Sequence, residues 1–155
     1  MKIINQRILF FLTLNFLALF LGGLATTDGV ASVWYDDLLK APWTPPGWVF
    51  GFAWTLIMVC FAFYMAIALE RVKHVKPLLA LYVAQWFLNV LWNPVFFHYQ
   101  EVFAGLILIL TLTHLVTFIL FSYLKTMKKT TLLIVPYFIW LLIASSLNLY
   151  IYWYN

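Results

Sequence analysis

The sequence predicts an all-α membrane protein, a bundle of five transmembrane helices, on three observations. Five apolar runs, residues 8–25, 46–69, 78–97, 102–124 and 131–154, fill most of the 155-residue chain. Each run has 18 to 24 residues, and at about 1.5 Å per residue that spans the roughly 30 Å of bilayer hydrocarbon. None of the 14 Asp, Glu, Lys and Arg residues lies inside a run. In lipid every backbone polar group needs an internal partner, so unbroken runs of this length are helices. Composition agrees: 66% of residues are hydrophobic and 9% charged, far below the roughly 25% charged of a soluble domain. Little chain is left over for a soluble part, so residues 1–155 read as a single transmembrane domain.

The charges predict orientation. Eight of nine basic residues precede the first run (Lys2, Arg7) or lie between runs two and three (Arg71, Lys73, Lys76) and four and five (Lys125, Lys128, Lys129). Only Lys40 lies on the other side, with Asp28, Asp36, Asp37 and Glu101. The positive-inside rule then places the N-terminus in the cytoplasm and the C-terminus outside. The net charge of +4 is accounted for by this asymmetry and by anionic lipid, not by nucleic acid. The first run has a basic start and small residues at Gly23 and Ala25, as a signal peptide would. At 18 residues it is longer than a signal core and reads as a retained span. Cys60, the single cysteine, lies mid-span and reads as packing.

Three connections are short, so consecutive helices are expected to be antiparallel neighbours. The exception, residues 26–45, carries Trp34, Tyr35 and Trp43 just before Trp48. That is too much aromatic surface to leave in water. It reads either as a headgroup belt or as a lid over the outer mouth of the bundle, and Pro42, Pro45 and Pro46 favour the stiffer lid. Thr44 is the expected cap of the second span, with Pro46 in its first turn.

At 100° per residue, Gly47, Phe50, Trp54, Met58 and Phe61 share one face of span two. Gln85, Asn89 and Trp92 line a stripe of span three with Asn93 at its edge, and Tyr137, Trp140, Ala144 and Asn148 a stripe of span five. Amides are costly in hydrocarbon, so Gln85, Asn89 and Asn148 should face protein or a cavity; interhelical hydrogen bonding explains any one of them equally well. Counted from the outer end, Trp92, Asn148, Trp54, Asn89 and Ala144 lie roughly 9–15 Å deep and Trp140 roughly 21 Å. Polar and aromatic stripes thus converge below the long loop, where a flat, mostly apolar ligand would fit; aromatic core packing is the alternative. His114, with Thr111 and Thr117 nearby, is expected to hydrogen-bond a neighbouring helix as a neutral ring, and His98 could approach the loop. No histidine pair has ligand spacing, so no metal is expected, and no motif requires a cofactor. Spans free of Asp, Glu, Lys and Arg argue against a proton- or ion-coupled pump, and nucleophile–base pairs and phosphate loops are absent.

Three segments carry a resemblance: WYDDLLKAPWTPPGWVFGFAW (34–54), QWFLNVLWNPVFF (85–97) and PYFIWLLIASSLN (136–148). They resemble the hallmark segments of the TspO/MBR family, the tryptophan-rich sensory proteins of bacteria and the translocator proteins, or peripheral-type benzodiazepine receptors, of mitochondria. The resemblance covers nearly the whole chain. It implies a five-helix bundle, commonly a homodimer, with a pocket beneath the first loop, here in a bacterial cell membrane. It also implies porphyrins such as protoporphyrin IX or haem as ligands, alongside sterols and synthetic benzodiazepines. By motif, the ligand contacts would be Trp34, Tyr35, Pro45, Trp54, Gln85, Asn89, Trp92, Tyr137, Trp140, Ala144 and Asn148. Light-dependent porphyrin breakdown in some bacterial members would involve Trp54 and Trp140. The family's cholesterol-recognition segment is not matched: span five ends LYIYWYN, without Lys or Arg, and LFSYLK at 120–125 is too degenerate a pattern to count. Sensor or regulator, photo-oxidative enzyme and tetrapyrrole carrier are the readings the sequence leaves open.

Overall fold

The computed structural model describes residues 2–155, and no strand occurs among them. The chain runs through α1 (Lys2–Val30), a short α2 (Val33–Asp37), α3 (Gly47–Arg71), α4 (Val75–Asn93), α5 (Val102–Met127) and α6 (Val135–Tyr154). Five of these helices are long and apolar enough to cross a membrane. Each of the five turns large apolar side chains outward, among them Phe20, Phe52, Phe87, Phe118 and Ile139, surface that only lipid tolerates on this scale. With the family assignment given below, this is an integral membrane protein.

The apolar run stops at Ala25, but α1 continues through Val30. Thr26 and Thr27 donate their hydroxyls to the carbonyls of Gly22 and Gly23, both at 2.9 Å, so polar residues ride on a helix that outlasts its apolar stretch. The non-helical part of the first loop is correspondingly shorter than the sequence suggested, and α2 sits within it, capped by Ser32, whose Oγ accepts from the Tyr35 N–H at 3.2 Å.

The expected Thr44 cap is not made. Its hydroxyl and its backbone N–H both donate to Ala41 O, at 2.7 and 2.9 Å, and Pro46 takes the cap position of α3 with extended backbone. Two prolines in succession remove the N–H groups a cap would have to meet and hold the chain extended up to Gly47.

The third span is helical to Asn93 and then widens into a π turn, Pro94–His98. Pro94, which has no N–H to give the preceding turn, opens this segment, and Tyr99 N–H closes the wider turn by donating to Pro94 O at 2.9 Å. It points Phe96 and Phe97 inward. The fifth span starts later than residue 131: a 3-10 stretch, Lys128–Leu133, precedes α6, and Lys128 enters it at a φ of 52°.

The helices close into a ring. α1 packs on α3 and α4, α4 on α5, α5 on α6, and α6 on α3. The expectation that consecutive spans are neighbours therefore fails for α3 and α4. Only residues 72–74 join them, yet α1 stands between their backbones, and they meet through large side chains: Phe61 stacks on Tyr82 at 5.9 Å, with the Phe11 ring 4.9 Å from Tyr82 on its other edge. The fully buried side chains, including Tyr64, Met65, Leu78, Leu112, Ile119 and Tyr137, gather toward the basic end of the bundle. Toward the loop end the ring is not filled.

His114 corrects another expectation. It lies on the lipid face of α5, and its Nδ1 meets Leu110 O of the same helix at 2.7 Å instead of a neighbour. Thr111 and Thr117 bond their own helix in the same way. The buried stripe of α5 runs through Ile109, Leu112, Thr113 and Val116, which leaves residue 114 on the opposite side.

Candidate functional site

Polar contacts hold α1 to its neighbours. From its basic end to its middle it is tied to both: Asn15 Nδ2 donates to Met58 O of α3 at 2.9 Å, Arg7 pairs with Glu70 at 3.6 Å, and Tyr82 and Trp86 of α4 donate to Asn15 Oδ1 and Leu14 O, each at 2.8 Å. In the loop half it leans on α4 alone. The Thr26 hydroxyl, its one proton shared with Gly22 O, reaches Asn93 Oδ1 at 2.6 Å, and α1 has glycine where the two helices come closest. A Cβ on Gly22 would lie 2.5 Å from Asn93 Nδ2, and one on Gly29 only 2.3 Å from Phe97 Cβ. These close approaches draw α1 away from α3 and open a wedge between them.

That wedge is a cavity of about 630 Å³, within the range of roughly 300–1,000 Å³ typical of ligand pockets. Ala18, Leu19, Gly22, Gly23 and Thr26 form the α1 wall; Phe50, Trp54 and Met58 the α3 wall; Asn89, Trp92 and Asn93 the α4 wall. Tyr35, Lys40, Thr44 and Pro45 of the first loop close the top. A smaller recess of about 50 Å³ adjoins it, sharing Tyr35, Lys40, Thr44, Phe50 and Trp92 and reaching Ala144 and Asn148 of α6.

The loop is held over this end by specific contacts. Trp34 packs edge-on against Phe96 at 5.7 Å, and Tyr35 lies tilted against Phe97 at 5.5 Å. Asn155 exchanges hydrogen bonds with Leu39, accepting from its N–H at 2.8 Å and donating to its carbonyl at 3.3 Å. Trp43 donates to Ser146 Oγ at 3.1 Å while much of its ring stays exposed, and Trp48 is more exposed still. Trp34 and Tyr35 thus pack over the end of the bundle, whereas Trp43 and Trp48 turn outward.

The eleven residues expected from the family motifs divide. Tyr35, Pro45, Trp54, Asn89 and Trp92 line the main cavity, and Ala144 and Asn148 the recess. Trp92 Nε1 donates to Asn148 Oδ1 at 3.3 Å, which joins the two compartments. Trp34 lines neither compartment and packs on Phe96. Gln85 and Tyr137 lie below the floor, bonded to each other at 2.9 Å, so Gln85 is interhelical glue. Trp140 sits behind Phe50, whose ring it meets edge-on at 5.2 Å, and its Nε1 is buried with no hydrogen-bond partner among the described residues. His98 is exposed against Tyr99 and lies on neither wall.

Sequence reasoning missed the α1 wall, although Gly22 and Gly23 interrupt a Leu- and Phe-rich span and Thr26 follows it. Lys40 reads in sequence only as part of the charge asymmetry. Asn89 is 8% exposed, and its side-chain amide makes no hydrogen bond to protein among the described residues, so it offers two donors and an acceptor at an otherwise apolar wall. The Tyr35 phenol is pushed above its ordinary pKa by burial and then by nearby Asp36, and it stays a protonated donor at the cavity roof. Among the described residues no three His, Cys, Asp or Glu side chains cluster as metal ligands would.

Fold and cavity together define a five-helix integral membrane protein hollow beneath its first extramembrane loop. The TspO/MBR family profile matches residues 10–154, and the chain belongs to that family. It is 36% identical to the "Tryptophan-rich sensory protein" of Cereibacter sphaeroides, over 88% of this chain and 87% of the relative. It is likewise 36% identical to the "Tryptophan-rich protein TspO" of Archaeoglobus fulgidus, over 88% of each. The human "Translocator protein" is 28% identical over 74% of this chain and 70% of its own.

Proposed function

We propose that the protein is a porphyrin-binding membrane sensor or regulator that takes a flat tetrapyrrole, protoporphyrin IX or haem, into the cavity under the first loop. One observation carries this reading. A cavity of about 630 Å³ presents the faces and edges of Trp54, Trp92, Phe50 and Tyr35 together with an unpartnered Asn89 amide, which suits a large planar ring system with a few polar atoms. The sensory and translocator names of the relatives are consistent with it. In the same reading the loop end faces outward and the N-terminus is cytoplasmic, as the distribution of basic residues implies, and the chain works as a homodimer, as the family resemblance implies.

Photo-oxidative breakdown of the bound porphyrin is a second reading, favoured by Trp54, a readily oxidised indole on the wall itself. The test is an absorption titration of the purified protein with protoporphyrin IX, dark and illuminated, with and without oxygen. A saturable spectral shift in the dark supports binding, and a new absorbing product that needs both light and oxygen adds the enzymatic role. No saturable shift refutes the proposal.

A further inference from the structure

Lys40 is the one basic residue of nine that does not belong to the opposite end of the bundle, and it lines both compartments of the cavity. Its ammonium lies 4.5 Å from the centroid of the Tyr35 ring and donates to Asp36 O at 3.3 Å. An ammonium has three donors, so donor capacity remains. Asp36 and Asp37 are exposed on α2, and neither pairs with Lys40: the only ion pair among the described residues is Arg7–Glu70, at the far end. No other residue on either wall carries a formal charge. The lining of the cavity is therefore apolar but for one formal charge, the Lys40 ammonium at its mouth, where low-dielectric walls strengthen the field.

From this geometry we propose that Lys40 is the specificity-determining residue of the cavity, pairing with a carboxylate on the edge of the ligand and so selecting anionic amphiphiles over neutral ones of the same shape. The inference rests on the porphyrin reading above and names the part of the ligand that reading leaves open. The rings lie among Trp54, Phe50 and Trp92 while the acid group stays at the loop, near Lys40 and the Tyr35 hydroxyl. A hydrogen bond between ionised partners in such a site favours the acid by about tenfold or more.

The experiment compares protoporphyrin IX with its neutral dimethyl ester, titrated into protein in zwitterionic nanodiscs by quenching of tryptophan fluorescence. Wild type, Lys40→Met and Lys40→Arg are measured with both. Dividing the acid-to-ester affinity ratio of wild type by that of Lys40→Met cancels the different lipid partitioning of the two porphyrins. The expected quotient is about ten or more, with Lys40→Arg close to wild type, while ester binding shows that the cavity of each variant still loads. A quotient near one overturns the role of Lys40 and leaves porphyrin binding standing. Failure of both porphyrins to bind wild type overturns the porphyrin reading and this inference with it.

Discussion

Replacing Asn15 with Ala should loosen the bundle just below the cavity. Asn15 is 1% exposed and joins three helices: it donates to Met58 O of α3 at 2.9 Å and accepts from the Tyr82 hydroxyl of α4 at 2.8 Å. In membranes an interhelical hydrogen bond is worth about 0.6 kcal/mol on average and about 1.7 at most. Losing two of them gives roughly 1–3 kcal/mol, and a Tyr82 hydroxyl left buried without a partner adds about 1 kcal/mol. The expected destabilisation is therefore about 2–4 kcal/mol. Tyr82→Phe removes one bond and should cost about 1 kcal/mol. Reversible unfolding in mixed micelles, followed by helicity, measures both variants and their combination. The coupling between the two sites should be about 1 kcal/mol. Because Ala18 and Met58 line the cavity floor, porphyrin affinity should fall alongside stability in Asn15→Ala. A destabilisation below about 0.5 kcal/mol, or additive single and double variants, would refute the claim that this node ties α1 to the bundle.

Gly29→Ala should lower the melting temperature, because its Cβ would meet Phe97 Cβ at 2.3 Å, whereas Gly23→Ala, with nothing within 4 Å, should not. The overpacking cost at Gly29 is about 1–3 kcal/mol, and equal melting of the two variants in detergent would remove the close α1–α4 approach as its cause. Trp54→Phe should reduce light-dependent porphyrin loss more than Trp140→Phe, since Trp54 is on the cavity wall and Trp140 behind Phe50; wild-type loss rates in both would end the photochemical reading. A membrane-impermeant thiol reagent applied to intact cells should modify Asp37→Cys and spare Lys128→Cys, and the reverse pattern would invert the orientation.

Membrane class, span number and the inward faces of α3, α4 and α6 were legible in the chain, because lipid imposes length and apolarity on every crossing independently of its neighbours. The inward stripes of α3, α4 and α6 obeyed the same local rule: Phe61, Gln85, Asn89, Tyr137, Trp140 and Asn148 lie where their periodicity put them. What no single helix could reveal was how far apart the stripes stand. Trp54 and Trp140 share a direction, yet Phe50 separates Trp140 from the cavity, and Gln85 and Tyr137 satisfy each other beneath the floor. The position of α1 decided the rest. Its glycines meet Asn93 and Phe97, residues about seventy positions later in the chain, and that long-range fit tilts it away from α3 and makes the wedge. Lys40 reads in sequence as a lone charge in a loop; only the fold of residues 31–46 across the end of the bundle brings it over the cavity. Hydrophobic length and period are properties of a segment, whereas a cavity is the volume left where several segments do not quite meet, and tertiary packing alone defines it.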